Sequence, residues 1–388
     1  MNVLMLGKWP NNINGGVSVH TVNLFNELSK FSELKFNMIS FGDEKKVIKK
    51  GRSKVIIIKK RKIYHFLPFL ALLRLSYEIR KIDHEIIHLQ GFNVSPYLIY
   101  VLFLTKVKKV ITCHGISSKE SVAQKRLKSN SIHYKLLRWL EKKEVDKADA
   151  IICVGSKLRK MIIKDYDAQK DNIFFVSNGV DTKKFDFRID KKTARTKLKI
   201  LKEDLVIFHA KSFVPNNGQI YLIEAFNKLL DKFPNSNLIL AGEGSLKNDL
   251  VQLCKKLQIF DKISFLGNVE NEDMPLLMAA SDVVVIPSVS INELEETSCI
   301  LALEAMAMQK PVIATKVGGL KDSIIPNFNG ILISDRNPDE IYDSLIKLIN
   351  NPKLAKDLGK NGCYYVQRER EWSKIALDTL FIYNKLLE

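Results

Sequence analysis

The sequence predicts an α/β protein built from two Rossmann-like domains, each a parallel sheet with helices on both faces. Apolar runs of strand length alternate with amphipathic helical patterns along most of the chain, and this alternation is typical of parallel sheets. The length of 388 residues suits two domains of ordinary size better than one. A lysine-rich stretch at 183–203 lacks a clear strand pattern and separates the two series of elements.

In the first half, short apolar runs predict strands at 2–6, 36–40, 55–59, 86–90, 109–113 and 150–154. Apolar residues at helical spacing predict helices at 17–30, 66–82, 94–105, 131–147 and 156–165. The pattern repeats in the second half, with strands at 205–210, 237–241, 263–267, 282–286, 311–314 and 331–333. Its predicted helices are 218–232, 245–257, 272–280, 298–308, 338–349 and 372–386.

These elements predict a first domain at 1–185, a linker at 186–203, a second domain at 204–370 and a terminal helix at 371–388. Two similar α/β domains imply a cleft, and ligands bind at the carboxyl ends of parallel strands. A hydrophobic content of 46% and a charged content of 27% are ordinary for a soluble protein. The five cysteines are scattered singly, which predicts neither a zinc site nor a disulfide framework.

The start of the chain reads as a strand rather than a signal peptide. The most apolar runs, 63–77 and 92–105, fall short of the roughly 18 residues that a membrane span needs. We therefore expect a cytoplasmic protein whose membrane contact, if it has one, is peripheral.

The excess of positive charge lies entirely in the first half of the chain. Residues 1–190 contain 36 lysines and arginines against 18 aspartates and glutamates, whereas residues 191–388 contain 25 of each kind. This asymmetry indicates an anionic partner for the first half: a membrane surface, a phosphate-bearing substrate or a nucleic acid.

Two glycine-rich turns follow predicted strands and precede predicted helices. Gly15 and Gly16 allow a close backbone approach to a ligand at a helix N-terminus, and Gly242 and Gly244 suit phosphate or backbone contact. Neither turn is a full dinucleotide-binding motif, so an ordinary tight turn is the alternative for both.

His114 follows the strand at 109–113 and precedes Gly115, so it points toward the predicted cleft. There it can hydrogen-bond a sugar hydroxyl or a developing charge, although a structural loop histidine is the alternative. The segment 177–181 (Ser-Asn-Gly-Val-Asp) also follows a strand and reads as a turn. No partner motif accompanies the other histidines: His20, His65, His84, His88, His133 and His209.

Glu296 and Glu304 are eight residues apart and flank a helix start predicted near Ser298. Glu296 then lies just before the helix and Glu304 nearly two turns inside it, so both can face one ligand across the N-terminus. Carboxylates suit sugar and ribose hydroxyls, because each accepts two donors. The first amides of the helix are free to hold a diphosphate.

With its surroundings, this segment resembles glycosyltransferase family 4, the retaining GT-B enzymes. The motifs that carry the resemblance occur in the family's order over nearly the whole chain: Gly15-Gly16, His114-Gly115, 177–181, Gly242-Glu-Gly244, Phe265-Leu-Gly267, Ser281-Asp282, Pro287-Ser288, Glu296 to Glu304 with Ala305-Met-Ala, Lys310-Pro-Val-Ile-Ala-Thr and Val317-Gly-Gly. The resemblance implies two domains facing each other across a cleft, with the terminal helix crossing back to the first.

The resemblance also implies roles for these residues. Glu296 holds the donor sugar and is catalytic together with His114, while Glu304 binds the ribose. Gly15 and Gly16 approach the donor, and neither a cofactor nor a metal is expected beyond the nucleoside-diphosphate sugar, which is a co-substrate. The amides at the helix start meet the diphosphate and the segment after Phe265 holds the base: Thr297, Ser298, Cys299 and Ile300, and Gly267, Asn268 and Val269.

One loop departs from the family pattern. The family carries an Arg and, five residues later, a Lys in the loop after the first strand of the second domain, where this chain has Ser212 and Asn217. Lys211 is the remaining cation for the diphosphate, but strand alternation predicts that it points the other way. Gln309, where the family has Gly, is a smaller departure.

These observations predict a retaining hexosyltransferase that uses a lipid-linked or polysaccharide acceptor on the inner face of the cell membrane. The basic segment Lys59-Lys-Arg-Lys62 followed by the apolar run from Ile63 suits an anionic interface, with a core helix as the alternative. Three other classes remain: a catalytically impaired nucleotide-sugar-binding partner, a GT-B sugar-nucleotide epimerase and a nucleic-acid binder. The last is disfavoured, because no recognition helix or stacking-aromatic motif is present.

Overall fold

The computed structural model describes residues 1–10, 15–62, 68–91, 105–123, 126–201, 204–291 and 295–388. The chain forms two compact units, each an α/β domain with a sheet of mainly parallel strands, as the sequence predicts. Unit 1 comprises Met1–Asn178 with Trp372–Glu388, and unit 2 comprises Gly179–Glu371.

The division between the units lies earlier than the predicted linker at 186–203. That segment is part of unit 2 and contains a helix, Lys191–Lys197, whose N-terminus is capped by Asp190. Arg195 of this helix is buried and donates to the Asp282 carboxylate (2.7 Å), while Ala194 is in the core. The lysine-rich composition gave no clear helical pattern, although Ala194 and Arg195 form a buried face of this helix.

The sheet of unit 1 has the order β3-β4-β2-β1-β5-β6-β7-β8 among the described residues. All neighbours are parallel except β3, which pairs antiparallel with β4 at the edge. Val3 of β1 lies opposite Phe36 on one side and Ile86 on the other. The strands are β1 Asn2–Leu6, β2 Lys35–Gly42, β3 Lys46–Lys50, β4 Ser53–Lys59, β5 Ile86–Gln90, β6 Lys108–Cys113, β7 Ala150–Cys153 and β8 Ile173–Phe175.

Helices cover both faces of this sheet. The described helices of the first half are α1 Gly16–Leu28, α2 Pro68–Arg80, α3 Ser117–Ala123, α4 Ile132–Lys147 and α5 Ser156–Tyr166. One apolar layer joins α2, α4 and α5 to the sheet face that carries Leu4 and Ile39. On the opposite face, Phe36 contacts Phe25 of α1 and Tyr383 of the terminal helix. The helix predicted at 94–105 lies almost wholly outside the described residues.

The sheet of unit 2 is fully parallel among the described residues, in the order β11-β10-β9-β12-β13-β14. Its strands are β9 Leu205–Ala210, β10 Ser236–Ala241, β11 Ile263–Gly267, β12 Val283–Ile286, β13 Val312–Thr315 and β14 Ile331–Ile333. The helices of the second half are α6 Lys191–Lys197, α7 Gln219–Leu230, α8 Lys247–Lys256, α9 Met274–Ala280, α10 Ile300–Ala307, α11 Leu320–Ser323, α12 Pro338–Asn350, α13 Pro352–Glu369 and α14 Trp372–Leu387. Helix α14 belongs to unit 1, where it packs against α1.

Each sheet has one point where the chain reverses its direction across the strands. In unit 1 this point lies between β1 and β5, and in unit 2 it lies between β9 and β12. Loops at the carboxyl ends of such strand pairs diverge and leave a crevice for ligands. The predicted site residues Gly15 and Lys211 follow β1 and β9, and Ser288 follows β12. None of the described helices is long and apolar enough to cross a membrane.

Candidate active site

The loop after β9 is held against the loop after β12 at the reversal point of unit 2. Gly218 has a positive φ of 69°, and a Cβ atom there would lie 1.9 Å from the carbonyl oxygen of Pro287. The amide of Val289 also donates to the Asn216 carbonyl (2.9 Å). The two loops therefore pack directly against each other, and only glycine fits at position 218.

Where these two loops pack together, three polar side chains meet: Lys211, Ser288 and Glu296. The Lys211 ammonium contacts the Glu296 carboxylate, and it also donates to Ser288 Oγ (3.2 Å). Ser288 Oγ donates in turn to Glu296 Oε2 (3.1 Å). The prediction that Lys211 points away is wrong, because β9 ends at Ala210 and strand alternation does not extend to the next residue.

The electrostatics of this trio favour a charged lysine. The Lys211 and Glu296 side chains are only 13% and 15% exposed, so the pair is largely shielded from water. Burial by itself lowers the pKa of Lys211, but its interactions, chiefly with the Glu296 carboxylate, more than offset this and raise the pKa above its usual value. Lys211 therefore remains a cation at neutral pH.

Gly318 and Gly319 brace the segment that carries Glu296. A Cβ atom on Gly318 would lie 1.8 Å from the Glu296 carbonyl oxygen, and one on Gly319 would lie 2.2 Å from that of Thr297. The Gly319 amide donates to the Glu296 carbonyl (2.7 Å), and the Gly318 amide donates to the Glu295 carboxylate (2.5 Å). These contacts explain why glycine is needed at positions 318 and 319, beside the segment that carries Glu295 and Glu296.

Helix α10 begins at Ile300, two residues later than predicted, and no side chain caps its N-terminus. The preceding residues Thr297, Ser298 and Cys299 lead into it, so the first amides of the helix are available to an anion. The Cys299 thiol is buried and its pKa is raised to about 12, mainly by burial, so it stays protonated. Glu296 and the helix start thus lie beside each other, as the sequence predicts.

Glu304 lies one turn inside α10 and is 6% exposed. Burial raises the pKa of its carboxyl to about 7, while Lys184 acts in the opposite direction. Among the described residues, no hydrogen bond offsets the burial of this carboxyl group. A buried carboxylate that titrates near neutrality is typical of a functional site.

The glycines after β10 serve the packing of two neighbouring loops. A Cβ atom on Gly242 would lie 2.2 Å from the Lys211 carbonyl oxygen, and one on Gly244 would lie 2.3 Å from that of Phe213. Gly267 of β11 accepts a hydrogen bond from the Gly242 amide (2.7 Å). The glycines therefore position the backbone of Lys211. Their contact with the donor, and that of Asn268 and Val269 after β11, stays a prediction.

Ser212 and Asn217 occupy different environments in the loop after β9. Ser212 is exposed, whereas Asn217 is buried and donates through Nδ2 to the Ser212 carbonyl (2.8 Å). Gln219 donates to the same carbonyl (3.0 Å). Asn217 thus stabilises the loop backbone by a hydrogen bond to it.

The candidate residues of unit 1 follow β1 and β6. Gly15 adopts a φ of 83° at the start of α1, and Gly16 is the first residue of that helix. A Cβ atom on Gly15 would lie within 4 Å of none of the described residues. Asn14, which precedes them, lies outside the described residues.

His114 belongs to a chain of buried polar side chains. Its Nε2 donates to Gln90 Oε1 (3.1 Å), and Gln90 Nε2 donates to His88 Nε2 (3.4 Å). His88 Nδ1 then donates to Tyr383 Oη on α14 (2.5 Å). Burial, with smaller effects of His20 and His88, holds the pKa of His114 well below 6.5. His114 is therefore a neutral imidazole whose Nδ1 carries the lone pair.

His20 and Asn178 support His114 from the other side. The His20 ring meets the His114 ring edge to face, with centroids 4.7 Å apart. His20 Nδ1 donates to Asn178 Oδ1 (2.7 Å), and burial lowers the pKa of His20 to about 4. The sequence shows no partner motif for His20 and His88, because their hydrogen-bond partners are remote in sequence. Asn178, predicted as part of a turn, likewise has a remote partner, His20, 158 positions away in the sequence.

Two family models match the chain. The model for glycosyl transferases group 1 matches residues 190–363, and the model for glycosyltransferase family 4 matches residues 14–184. An uncharacterised glycosyltransferase of Methanocaldococcus jannaschii is 30% identical over 241 residues, which span 61% of this chain and 60% of that protein.

Two solved structures share the fold over essentially their full length. Sucrose-phosphate synthase from Thermosynechococcus elongatus superposes with a TM-score of 0.80 at 19% identity, over 100% of this chain and 99% of the other. Anabaena HepE, solved with UDP-glucose, gives a TM-score of 0.75 at 18% identity, over 99% and 100%. The two family models together account for most of the chain, which belongs to the family 4 (group 1) glycosyltransferases and has their GT-B fold.

Proposed function

We propose that this protein transfers a hexosyl group from a nucleoside-diphosphate donor, with retention of configuration, to a lipid-linked or polysaccharide acceptor. The observation that carries the proposal is the meeting of Lys211, Ser288 and Glu296 beside the uncapped start of α10. A cation and a helix N-terminus suit a diphosphate, and a neighbouring carboxylate suits sugar hydroxyls. That HepE was solved with UDP-glucose supports a donor of this class.

In the proposed reaction the bond between the anomeric carbon and the diphosphate oxygen breaks, and a bond from that carbon to an acceptor hydroxyl oxygen forms on the same face of the sugar. The hydroxyl proton passes to the departing diphosphate. Negative charge then builds up on the departing diphosphate, and both Lys211 and the α10 amides stabilise that charge. Glu296 holds the donor sugar through its carboxylate, while Glu304 accepts hydrogen bonds from the ribose. No metal or cofactor is needed in this proposal, since lysine and helix amides supply the positive charge.

The residues of unit 1 supply a second part of the proposal. His114 is neutral, so its Nδ1 accepts a hydrogen bond from a substrate hydroxyl without adding a competing positive charge. Gly15 and Gly16 let the backbone at the start of α1 approach the donor. The excess of positive charge in residues 1–190 supports a peripheral position at the cytoplasmic face of the membrane, where a lipid-linked acceptor is presented.

A panel of nucleotide sugars tests the proposal. Thermal shift identifies the donor that stabilises the protein, and donor hydrolysis measures turnover with that donor. We expect one nucleotide sugar to raise the melting temperature and Glu304→Ala to abolish the shift. Lys347→Ala, a change in the last turn of α12, serves as the matched control and should retain it. A full panel without any stabilising donor would overturn the proposal.

The second candidate function is a nucleotide-sugar-binding protein without turnover. It is favoured by the loop after β9, where exposed Ser212 and buried Asn217 replace two cations of the family pattern. Calorimetric binding of a donor without hydrolysis or transfer would support it. In that case Ser212→Arg, made at an exposed position, should gain turnover, whereas Asn217→Lys also breaks the bond to the Ser212 carbonyl and should lower the melting temperature.

A further inference from the structure

Helix α4 presents its charged and apolar residues in an inverted arrangement. Glu141 and Glu144 are buried, and Glu141 accepts hydrogen bonds from Ser118 Oγ and Tyr166 Oη (both 2.6 Å). Ile132, Leu136 and Trp139 instead face outward, and each is more than half exposed. Their spacing of four and three residues places them on one side of the helix. On a helix whose outer face contacts only water, the charged side chains would be exposed and the apolar side chains would be buried.

Helix α2 carries a second apolar ridge on the same side of the sheet. Its residues Phe69, Leu73 and Tyr77 recur every fourth position and are each more than half exposed. The inner faces of α2 and α4 pack into one core layer through residues that include Leu75 and Val145. The outward ridges of both helices therefore belong to the same helix layer of unit 1.

A basic groove borders α2 at the edge of the sheet. It has a volume of about 690 Å³, and its charged lining comprises Lys45, Lys54, Lys59, Arg61, Arg74 and Lys81 against a single acid, Glu78. Glu78 is already paired with Arg74 (2.5 Å) and Lys81 (3.4 Å). The remaining cations give the groove a strong positive potential.

Cations also accompany the α4 ridge. Lys135 and Lys147 are exposed on this helix, and Lys143 lies 5.9 Å from the centre of the Trp139 ring. The exposed acid of α4, Asp146, is paired with Lys142 (2.7 Å). The surface thus combines apolar side chains, an indole and lysines, which is the composition that suits the interface of an anionic bilayer.

We propose that the outer face of α2 and α4, together with the groove beside α2, docks onto an anionic phospholipid bilayer. The apolar ridges enter the headgroup region, and the lysines and arginines contact lipid phosphates. A second copy of the chain fits less well, because two such basic faces repel each other. A nucleic acid would satisfy the cations but leave the six apolar side chains in water. The proposal names the surface for the membrane-bound acceptor and in that respect rests on the proposed function.

Vesicle co-sedimentation of the full chain tests the proposal, with no donor or acceptor present. We expect binding to vesicles of phosphatidylglycerol and phosphatidylcholine, weak binding to pure phosphatidylcholine, and weaker binding at high salt. Leu136→Glu combined with Trp139→Glu should weaken the apparent affinity about tenfold or more. Lys59→Gln with Arg61→Gln should reduce the preference for the anionic lipid.

The matched control is Leu377→Glu with Phe381→Glu on α14. These side chains are as exposed as the α4 pair but belong to the helix that packs on the opposite face of the sheet, so vesicle binding should be retained. Circular dichroism and nucleotide-induced thermal shift establish that each variant is folded and report separately on the donor site. Equal binding by the α4 variant and the wild type overturns the proposal. The proposal is also overturned if the protein does not bind vesicles and the α4 substitutions instead dissociate a dimer or a nucleic-acid complex.

Discussion

The Lys211 ammonium lies against the Glu296 carboxylate, and Ser288 bridges the two. The pair joins residues 85 positions apart, from the loop after β9 and the segment before α10. It holds a cation next to the start of α10. A diphosphate offers that cation more negative charge than one carboxylate, so binding of the donor should transfer Lys211 from Glu296 to the phosphates and free Glu296 for the sugar.

Lys211→Gln tests this exchange. Removing a charged contact to the departing diphosphate should lower turnover about 100-fold or more, because the contact is strongest in the transition state. Initial rates of transfer or donor hydrolysis at saturating donor measure the effect. The control is Lys247→Gln, which removes a half-exposed ion pair with Glu243 and should leave the rate nearly unchanged. Equal rates for Lys211→Gln and the wild type would show that the cation is not used.

Gly318→Ala should displace Glu296 from its position. The added Cβ atom would lie 1.8 Å from the Glu296 carbonyl oxygen, and the backbone has a positive φ of 46°. Gly51→Ala is the matched control, since its φ is 55° and its Cβ would meet nothing within 4 Å. The control should lose only about 1 kcal/mol of stability and keep its activity. Gly318→Ala should lose more stability and most of its turnover, as measured by thermal unfolding and donor hydrolysis.

The regular part of the fold could be predicted from sequence because buried parallel strands leave continuous apolar runs. The edge strand β3 could not, since four of its five residues are exposed and it lacks an apolar pattern. Helix α13 was also missed, although Asn351 caps it and Pro352 begins it. Its buried face includes Gly359 and Gly362, which allow close approach to Gln309 and Met306. Glycine in a sequence argues against a helix, but here tight packing against α10 requires it.

The candidate site was predictable where its residues are neighbours in sequence. The eight-residue spacing of Glu296 and Glu304 predicted that they flank the start of α10. The structure confirms this, although Glu304 lies one turn inside the helix rather than nearly two. Ser288, Gln90 and Asn178 were not assigned to the site, because each acts through a partner on a different element. Only tertiary packing brings these pairs together, and no local pattern encodes them.

Glu304 should make stability depend on pH. Its pKa is about 7 in the folded protein against an ordinary value of 4.5, so the folded state holds a proton that the unfolded state has lost. The stability contributed by this proton is complete below the unfolded pKa and is lost as pH rises through 7. Glu304→Gln should therefore stabilise the donor-free protein at about pH 8, by at most about 3 kcal/mol, with a smaller gain at about pH 6.

Donor binding should depend on pH in the opposite sense. Ribose hydroxyls donate hydrogen bonds, so the ionised Glu304 carboxylate is the better partner and donor affinity should rise as pH increases through about 7. Calorimetric titrations on both sides of that pH measure the change, and Glu304→Gln should bind more weakly and lose it. A pH dependence that persists in Glu304→Gln would assign it to another group.

Gln90→Met should release His114 from its fixed tautomer. In the wild type, Gln90 Oε1 accepts from His114 Nε2, which leaves Nδ1 as the acceptor. Methionine keeps the buried volume but removes this acceptor, so both neutral tautomers should become populated and turnover should fall about tenfold. Nitrogen NMR of the imidazoles reports the tautomer directly, apart from any change in rate.

Thr112→Val is the control, since it removes the bond to His88 (2.7 Å) while the contact between Gln90 and His114 remains. If Gln90→Met keeps the single His114 tautomer and the wild-type rate, the chain of side chains from His114 to Tyr383 has only a structural role.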